Sequence, residues 1–256
     1  MGTKANGKKP SITVIVPCLN EEGNLRETIE AIKAALSSSK RFSDYEILIF
    51  NDFSTDGTGA LAEEIKKKEK GVKVIHNPRN MGFGYNYSEG VRRAAMDYII
   101  MVPGDNEIPA EAITRVISRA GEADCIIPYT ANTEVRALSR RVISRVFVIF
   151  INALFGLNVR YYNGTCLLKS SLLKKVPLKT WGFAYMAAIL VRLLRSGSSF
   201  VEVGVDITAR ATGKTKAFRI KNILSVANAI LALFWEVRVT ERAKYGTPSR
   251  RAVIAE

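Results

Sequence analysis

Asp97-Tyr98-Ile99-Ile100-Met101-Val102-Pro103-Gly104-Asp105-Asn106-Glu107-Ile108-Pro109-Ala110-Glu111 is the stretch from which the rest of the chain can be read. Tyr98 to Val102 is a short, continuous apolar run, the pattern of a strand buried on both faces. Pro103 and Gly104 end it, and Pro109 allows a helix to begin near Glu111. Asp105 and Glu107, separated by a single residue, therefore sit on a loop at the carboxyl end of a strand. Open α/β sheets bind their ligands in that place. Two carboxylates so placed can hold a hard divalent cation, Mg²⁺ or Mn²⁺, and a diphosphate on it. A solvated Asp-containing turn reads the same on these residues alone, so the surrounding chain decides.

Upstream, Ile12 to Pro17 reads as a strand closed by its proline, followed by Asn20-Glu21-Glu22 and a helical pattern from Leu25 to Leu36. Glu46 to Phe50 is a second strand, running into Asn51-Asp52-Phe53-Ser54-Thr55-Asp56-Gly57-Thr58. A helix over Ala60–Lys70, a short strand over Val72–His76, a loop over Asn77–Gly84 and a helix over Tyr87–Met96 complete the run up to the opening strand. Strands alternating with helices of this length predict an α/β fold, a mostly parallel sheet with helices on both faces. Asp52, at a strand terminus, can accept from a base or a ribose hydroxyl. Neither G-x-G-x-x-G nor G-x-x-x-x-G-K-[ST] occurs, which removes the dinucleotide fingerprint and the P-loop.

The 256 residues suit one large α/β domain, or one with a small appendage, and 47% hydrophobic residues supply a core. Met1 to Pro10 is basic and reads as a disordered tail with no secretory signal. Cys18, Cys125 and Cys166 show no metal spacing and suit a reducing compartment. His76 is the single histidine, which removes multi-histidine metal sites and makes a Ser-His-Asp triad a poor expectation. The net charge of +14 is unevenly distributed. Residues 1–135 hold 17 Lys+Arg against 19 Asp+Glu, a balance of −2, whereas residues 136–256 hold 21 against 5, a balance of +16. No acidic residue occurs between Glu134 and Glu202. Such a half-chain calls for an anionic partner, whether nucleic acid, an anionic membrane face or a phosphorylated ligand.

Four segments in order carry a resemblance: Val16-Pro17-Cys18-Leu19-Asn20-Glu21-Glu22, Asn51 to Thr58, Asn80-Met81-Gly82-Phe83-Gly84, and Asp105-Asn106-Glu107. Together they resemble the successive motifs of family 2 glycosyltransferases, over roughly Ser11 to Lys221. The resemblance implies the GT-A fold, a Rossmann-like nucleotide-diphospho-sugar transferase sheet, and transfer of a hexose with inversion. Within that family the chain is most similar to the dolichyl- or polyprenyl-phosphate mannose-type synthases. That similarity is carried by Asn163-Gly164-Thr165, the Glu202-Val203 strand and Arg210-Ala211-Thr212-Gly213-Lys214-Thr215-Lys216. It implies nucleotide contacts at Pro17, Asn20, Glu21, Asp52, Asn80, Gly82 and Asp105, and metal ligands at Asp105 and Glu107. It implies acceptor-phosphate contacts at Arg140, Ser144, Arg210 and Lys216, with Asp105, Arg210 and Lys216 as the catalytic set. The departures are specific: the first Asp of the family's Asp-x-Asp falls at Pro103, a Gln falls at Glu107, and Asn51 and Phe53 stand where Asp and Gly are common. One further family Arg, expected near Thr130, is absent.

A hydroxyl nucleophile usually needs a general base, whereas a lipid phosphate is already anionic and needs cations to position it. The acid-free half supplies cations and no carboxylate before Glu202 and Asp206, where a base would have to be sought if the acceptor were an alcohol. Val142–Leu157 and Ile223–Val237 are apolar with basic flanks but fall short of the ~20 residues a spanning helix needs. They read as helices lying in a membrane interface, or alternatively as packed core helices. The expected organisation is a tail over 1–10 and a catalytic domain over 11–220 that includes an interface helix region at 137–157. An apolar helix over 221–239 and a flexible tail over 240–256 follow. The expected partners are a GDP- or UDP-hexose, a lipid phosphate and a membrane surface, not nucleic acid. The expected location is the cytoplasmic face of a membrane, peripheral or monotopic. The rival readings are transfer to a hydroxyl of another lipid or glycan, a basic nucleic-acid-binding protein, and an inactive relative.

Overall fold

The computed structural model describes residues 9–178, 182, 184–208 and 220–252, with the side chains of 220–224 excepted. The first half alternates strand and helix: β1 (Ser11–Cys18), α1 (Leu25–Ser39), β2 (Asp44–Asn51), α2 (Thr58–Lys68), β3 (Val72–His76), α3 (Phe83–Arg93), β4 (Tyr98–Met101) and α4 (Ala110–Ile117). The second half contains β5 (Cys125–Thr130), α5 (Leu138–Phe155), β6 (Leu167–Lys169), α6 (Ser170–Leu173), α7 (Tyr185–Arg195), β7 (Ser199–Val205), α8 (Ile220–Trp235) and β8 (Arg250–Arg251). The strands form one sheet in the order β3-β2-β1-β4-β6-β5-β7-β8. Every pairing is parallel except the two made by β6, which lies antiparallel between β4 and β5.

Alternation along each strand builds two cores. Ile12, Val14, Val16, Ile47, Ile49 and Ile100 point to one face, against Leu25, Ile29 and Ile32 of α1, Ile65 of α2 and Ile113 of α4. Ile15, Leu48, Phe50, Ile99 and Met101 point to the other, against Tyr87 of α3, Ile151 and Phe155 of α5, and the nearly all-buried α7. Side chains on successive residues of a strand alternate faces, so two apolar faces require near-continuous apolar strands. A charged side chain, Glu46, lies within β2 and is only 2% exposed. It accepts from Thr13 Oγ1 at 2.8 Å, Ala95 N at 2.7 Å and Lys73 Nζ at 2.8 Å. Burial would raise its carboxyl, but the bonds from Lys73, Ala95 and Thr13 outweigh that and hold it below the usual carboxylate range.

Three local expectations are corrected. β1 does not end at Pro17 but continues to Cys18, with Pro17 opposite Phe50 and Cys18 opposite Asn51. The Pro17 carbonyl faces the β4 side, where it accepts from Gly104 N at 3.1 Å; the N–H that proline lacks would face that side too, past the last β1–β4 pair, so the β1–β2 ladder keeps its donors. α3 starts at Phe83, four residues before the expected Tyr87, because Gly82 at φ +84° lets the chain turn straight into the helix. The segment after residue 240 was expected to be loose, yet Tyr245 is 2% exposed, Arg250–Arg251 pairs with β7, and Ala252 N donates to Phe200 O at 2.8 Å. What ties this end down is a buried fork. Arg192 Nε and Nη2 each donate at 2.8 Å to the Glu236 carboxylate, in a π-type turn over Glu236–Thr240 that follows α8.

Candidate active site

The chain lays down β1, β2 and β3 in one direction across the sheet, then returns to place β4 on the other side of β1. In open α/β sheets such a reversal is where the ligand crevice forms, here outside the carboxyl ends of β1 and β4. The loops that meet there are the ones singled out in the sequence. Asn20, at φ +60°, accepts from Thr55 N at 2.8 Å through Oδ1, and its own N–H donates to Ser54 Oγ at 3.0 Å. Glu21 N donates to Thr58 Oγ1 at 2.8 Å, and Glu22 Oε2 accepts from Gly57 N at 2.9 Å. The loops after β1 and β2 are thereby laced into one wall.

Asp52 joins the next loop to that wall. Its carboxylate is 4% exposed and accepts from Asn77 Nδ2 at 2.7 Å, Met81 N at 2.8 Å and Gly82 N at 2.8 Å, while its own N–H donates to Cys18 O at 2.8 Å. The residue expected to read a base or a ribose is thus largely occupied in holding the Asn77–Gly82 loop. Of the other nucleotide candidates, Pro17 is buried within β1, Asn80 is exposed at the loop tip, and Gly82 opens α3.

The metal loop is fixed from beneath. Gly104 packs so tightly on β1 that a Cβ there would lie 2.5 Å from Cys18 Sγ, so only glycine brings this loop down onto the strand end. Asp105 Oδ1 accepts from Glu107 N at 3.3 Å, Asn106 sits at φ +54° with its N–H donating to Thr28 Oγ1 at 3.1 Å, and Thr208 Oγ1 donates to Glu107 O at 3.0 Å. Negative charge converges here: burial foremost, then the carboxylates of Glu21, Asp105 and Asp56, push the Cys18 thiol far above its usual range and leave it inert. No cluster of three or more His, Cys, Asp or Glu suited to a metal exists among the described residues. One or two carboxylates are the donor type that binds Mg²⁺ beside substrate phosphates, so Asp105, half-buried on the loop, and Glu107 fit the expected ion by their chemistry.

On the far side of the sheet, α5 has two faces. Arg140 and Ser144, one turn apart, are half-buried on the side that continues into buried Ile151 and Phe155. The opposite side exposes Leu138 (69%), Val142, Val146 (61%), Ile149 (60%) and Phe150. The far ends of α5 and α8 meet through Phe155 and Phe234, 6.4 Å apart, and through Arg238 Nη2 donating to Leu154 O at 3.1 Å. α8 likewise exposes Leu231 and Trp235. Among the described residues no helix is long and apolar enough to cross a membrane. Arg210 and Lys216 lie outside the described residues.

One cation escaped the sequence reading. Arg136 makes no ion pair among the described residues. It donates from Nη1 to Tyr161 Oη at 3.2 Å, its guanidinium lies 5.5 Å from that ring, and its buried Nε has no hydrogen-bond partner there. The spacing Arg136, Arg140, Ser144 was the available signal. Glu202, in contrast, is committed: Oε1 accepts from Arg160 N at 2.6 Å and Oε2 is ion-paired with Arg251. Asp206 is exposed.

Residues 13–176 match the family model described as "Glycosyl transferase family 2". The dolichol-phosphate mannosyltransferase of Pyrococcus furiosus is 27% identical over 244 residues, covering 91% of this chain and 67% of that protein. The undecaprenyl-phosphate mannosyltransferase of Micrococcus luteus is 24% identical over 216 residues, covering 80% and 86%. A low-salt glycan biosynthesis hexosyltransferase of Haloferax volcanii is 30% identical over 157 residues, which are 59% of this chain but only 36% of that longer protein. Among solved structures, glucosyl-3-phosphoglycerate synthase from Mycobacterium tuberculosis, in complex with Mn²⁺, uridine diphosphate and phosphoglyceric acid, superposes with a TM-score of 0.62 at 15% identity. The superposition covers 93% of this chain and 80% of that one. The strand order, the reversal beside β1 and the loop constellation at its carboxyl edge agree with that likeness, and the chain belongs to glycosyl transferase family 2, with the GT-A fold.

Proposed function

We propose that this enzyme moves one hexose from a GDP- or UDP-sugar to a polyprenyl phosphate at a membrane surface, with inversion at the anomeric carbon. A phosphate oxygen of the acceptor attacks that carbon from the side opposite the nucleoside diphosphate. The new carbon–oxygen bond forms as the bond to the diphosphate breaks, and the electron pair leaves with the diphosphate. A divalent ion on Asp105 and Glu107 would supply the charge stabilisation that the leaving group needs.

The observation that carries this reading is the two-sidedness of α5, with Arg140 and Ser144 turned inward and a row of bare aliphatic side chains turned out. One helix would then rest on lipid by one face and meet the lipid's phosphate by the other. Three further facts support an anionic acceptor. Arg136 has no carboxylate partner among the described residues, Glu202 is spent on Arg160 and Arg251, and the two relatives matched over most of this chain are named for lipid phosphates. Arg210 and Lys216 belong to the same proposal as acceptor-phosphate contacts. The phosphoglycerate-bound neighbour keeps a second reading in view, a small phosphorylated acceptor, but that reading leaves the exposed face of α5 without a purpose.

The test offers polyprenyl phosphate, polyprenol and a short phosphorylated acid to the same enzyme with GDP- and UDP-hexoses. An acid-labile product from the lipid phosphate alone is expected. Equal turnover of the alcohol would overturn the proposal and require a base, and turnover confined to the soluble acid would remove the membrane.

A further inference from the structure

The donor's nucleobase should be recognised at the crevice, yet the polar side chains beside it are already engaged. Asp52 accepts three internal hydrogen bonds, Asn51 Oδ1 accepts from Ser54 N at 3.1 Å while its Nδ2 lies 3.0 Å from His76 Nδ1, and Asn20 Oδ1 accepts from Thr55 N. Between them stands Phe53. Its φ is +65°, a left-handed conformation that residues with a side chain rarely adopt. The chain does not drift out of it because both neighbours are pinned: Asp52 to Cys18 O and to the Met81–Gly82 backbone, Ser54 to Asn51 Oδ1 and to Asn20 N. The conformation contributes nothing to the core, since Phe53 is 54% exposed. An aromatic ring held in a strained backbone and turned to solvent at a ligand crevice is a feature whose use lies outside the free fold. A second exposed ring, Phe83, directly follows Gly82, whose N–H is bonded to the carboxylate of the residue preceding Phe53.

We propose that Phe53 is a donor-binding residue that holds the nucleotide by stacking on the face of its nucleobase, with Phe83 on the adjoining loop as a second apolar wall. The donor base is thus gripped by its face and not by its edge. This rests on the nucleotide-sugar reading above and goes beyond it by assigning the base contact to a side chain other than Asp52. Base–aromatic stacking is strong and tolerant, because every base has a π face.

The test measures binding of UDP, GDP and inorganic pyrophosphate, each with Mg²⁺, to the wild type and to Phe53→Trp, Phe53→Leu and Phe53→Gly. Phe53→Leu should weaken both nucleoside diphosphates by about five- to a hundred-and-fifty-fold, the ~1–3 kcal/mol of one stacked base. Phe53→Trp should retain them, and pyrophosphate, which has no base, should bind all variants alike. Phe53→Gly should lose nucleotide affinity without a lower Tm, because glycine tolerates the left-handed backbone. A purely structural role predicts the opposite pattern, with Tm and pyrophosphate affinity falling together. Undiminished nucleotide binding by Phe53→Leu would overturn this inference alone. A wild type that binds pyrophosphate but neither nucleotide would overturn the donor reading with it.

Discussion

The most informative single perturbation is Asp52→Asn, because the geometry separates two roles that sequence comparison merges. The wild-type carboxylate accepts on both oxygens: Oδ1 from Asn77 Nδ2 and Met81 N, Oδ2 from Gly82 N. An asparagine of the same shape keeps one acceptor oxygen and puts an NH₂ against one of those donors. If the amide oxygen stays with Asn77 and Met81, the amide nitrogen meets the Gly82 N–H, donor against donor. At least one charge-assisted bond is lost, roughly 1.5–3 kcal/mol, and the two that remain weaken with loss of the charge. For a chain of this size about 2–4 °C of Tm accompanies each kcal/mol, so a fall of roughly 3–12 °C is expected. Urea unfolding should show the midpoint moving with an unchanged slope. Binding of Mg²⁺–UDP and Mg²⁺–GDP should weaken only in proportion to the loosened Asn77–Gly82 loop, and pyrophosphate should weaken alongside. Wild-type stability combined with a specific loss of nucleotide, pyrophosphate being spared, would refute the reasoning and return Asp52 to direct reading of the base or ribose.

Asp105→Ala should abolish metal-dependent nucleotide binding with little change in Tm, since its side chain is only half-buried and the loop keeps its Gly104 and Thr28 contacts; calorimetry with and without Mn²⁺ decides, and surviving metal-dependent binding would move the ion elsewhere. Acid should destabilise the fold through two carboxylates with depressed pKa values: Glu46, and Glu89, which its hydrogen bond from Arg92 helps bring down to about 2. A depressed carboxyl stabilises the fold fully above its unfolded value of about 4.3 and loses that contribution as pH falls toward the folded value, so Glu46→Gln should flatten the stability–pH curve below about pH 5. An unchanged curve would show that Glu46 is not ionised in the fold. Val146→Glu with Ile149→Glu should leave Tm within about 2 °C, because both side chains are exposed, yet release the protein from anionic vesicles; full retention in a flotation assay would remove α5 from the membrane contact.

Much of this protein was present in local sequence. Apolar runs of strand length between helical patterns set the alternation of β1 to α4, and loops rich in Asn, Asp and Gly marked the carboxyl edge, because both signals are carried by neighbours along the chain. The uneven charge likewise needed no coordinates. What a side chain does once it is in place was decided elsewhere. Asp52 looked like a ligand residue until the Met81 and Gly82 amides, some thirty positions away, were brought to its oxygens. Glu202 looked like a reserve base until Arg251 and the Arg160 amide closed on it, and Arg136 drew no notice until Tyr161 lay against it. β6, only Leu167–Lys169 between β4 and β5, and β8, only Arg250–Arg251 at the edge beside β7, are too short to signal themselves; the backbone groups of the neighbouring strands recruit them. Periodicity fixes which face of an element is apolar, because that pattern is carried by neighbours in sequence. The partner of a polar atom is fixed only when distant segments meet, since a hydrogen bond depends on ångström distances that no spacing along the chain encodes.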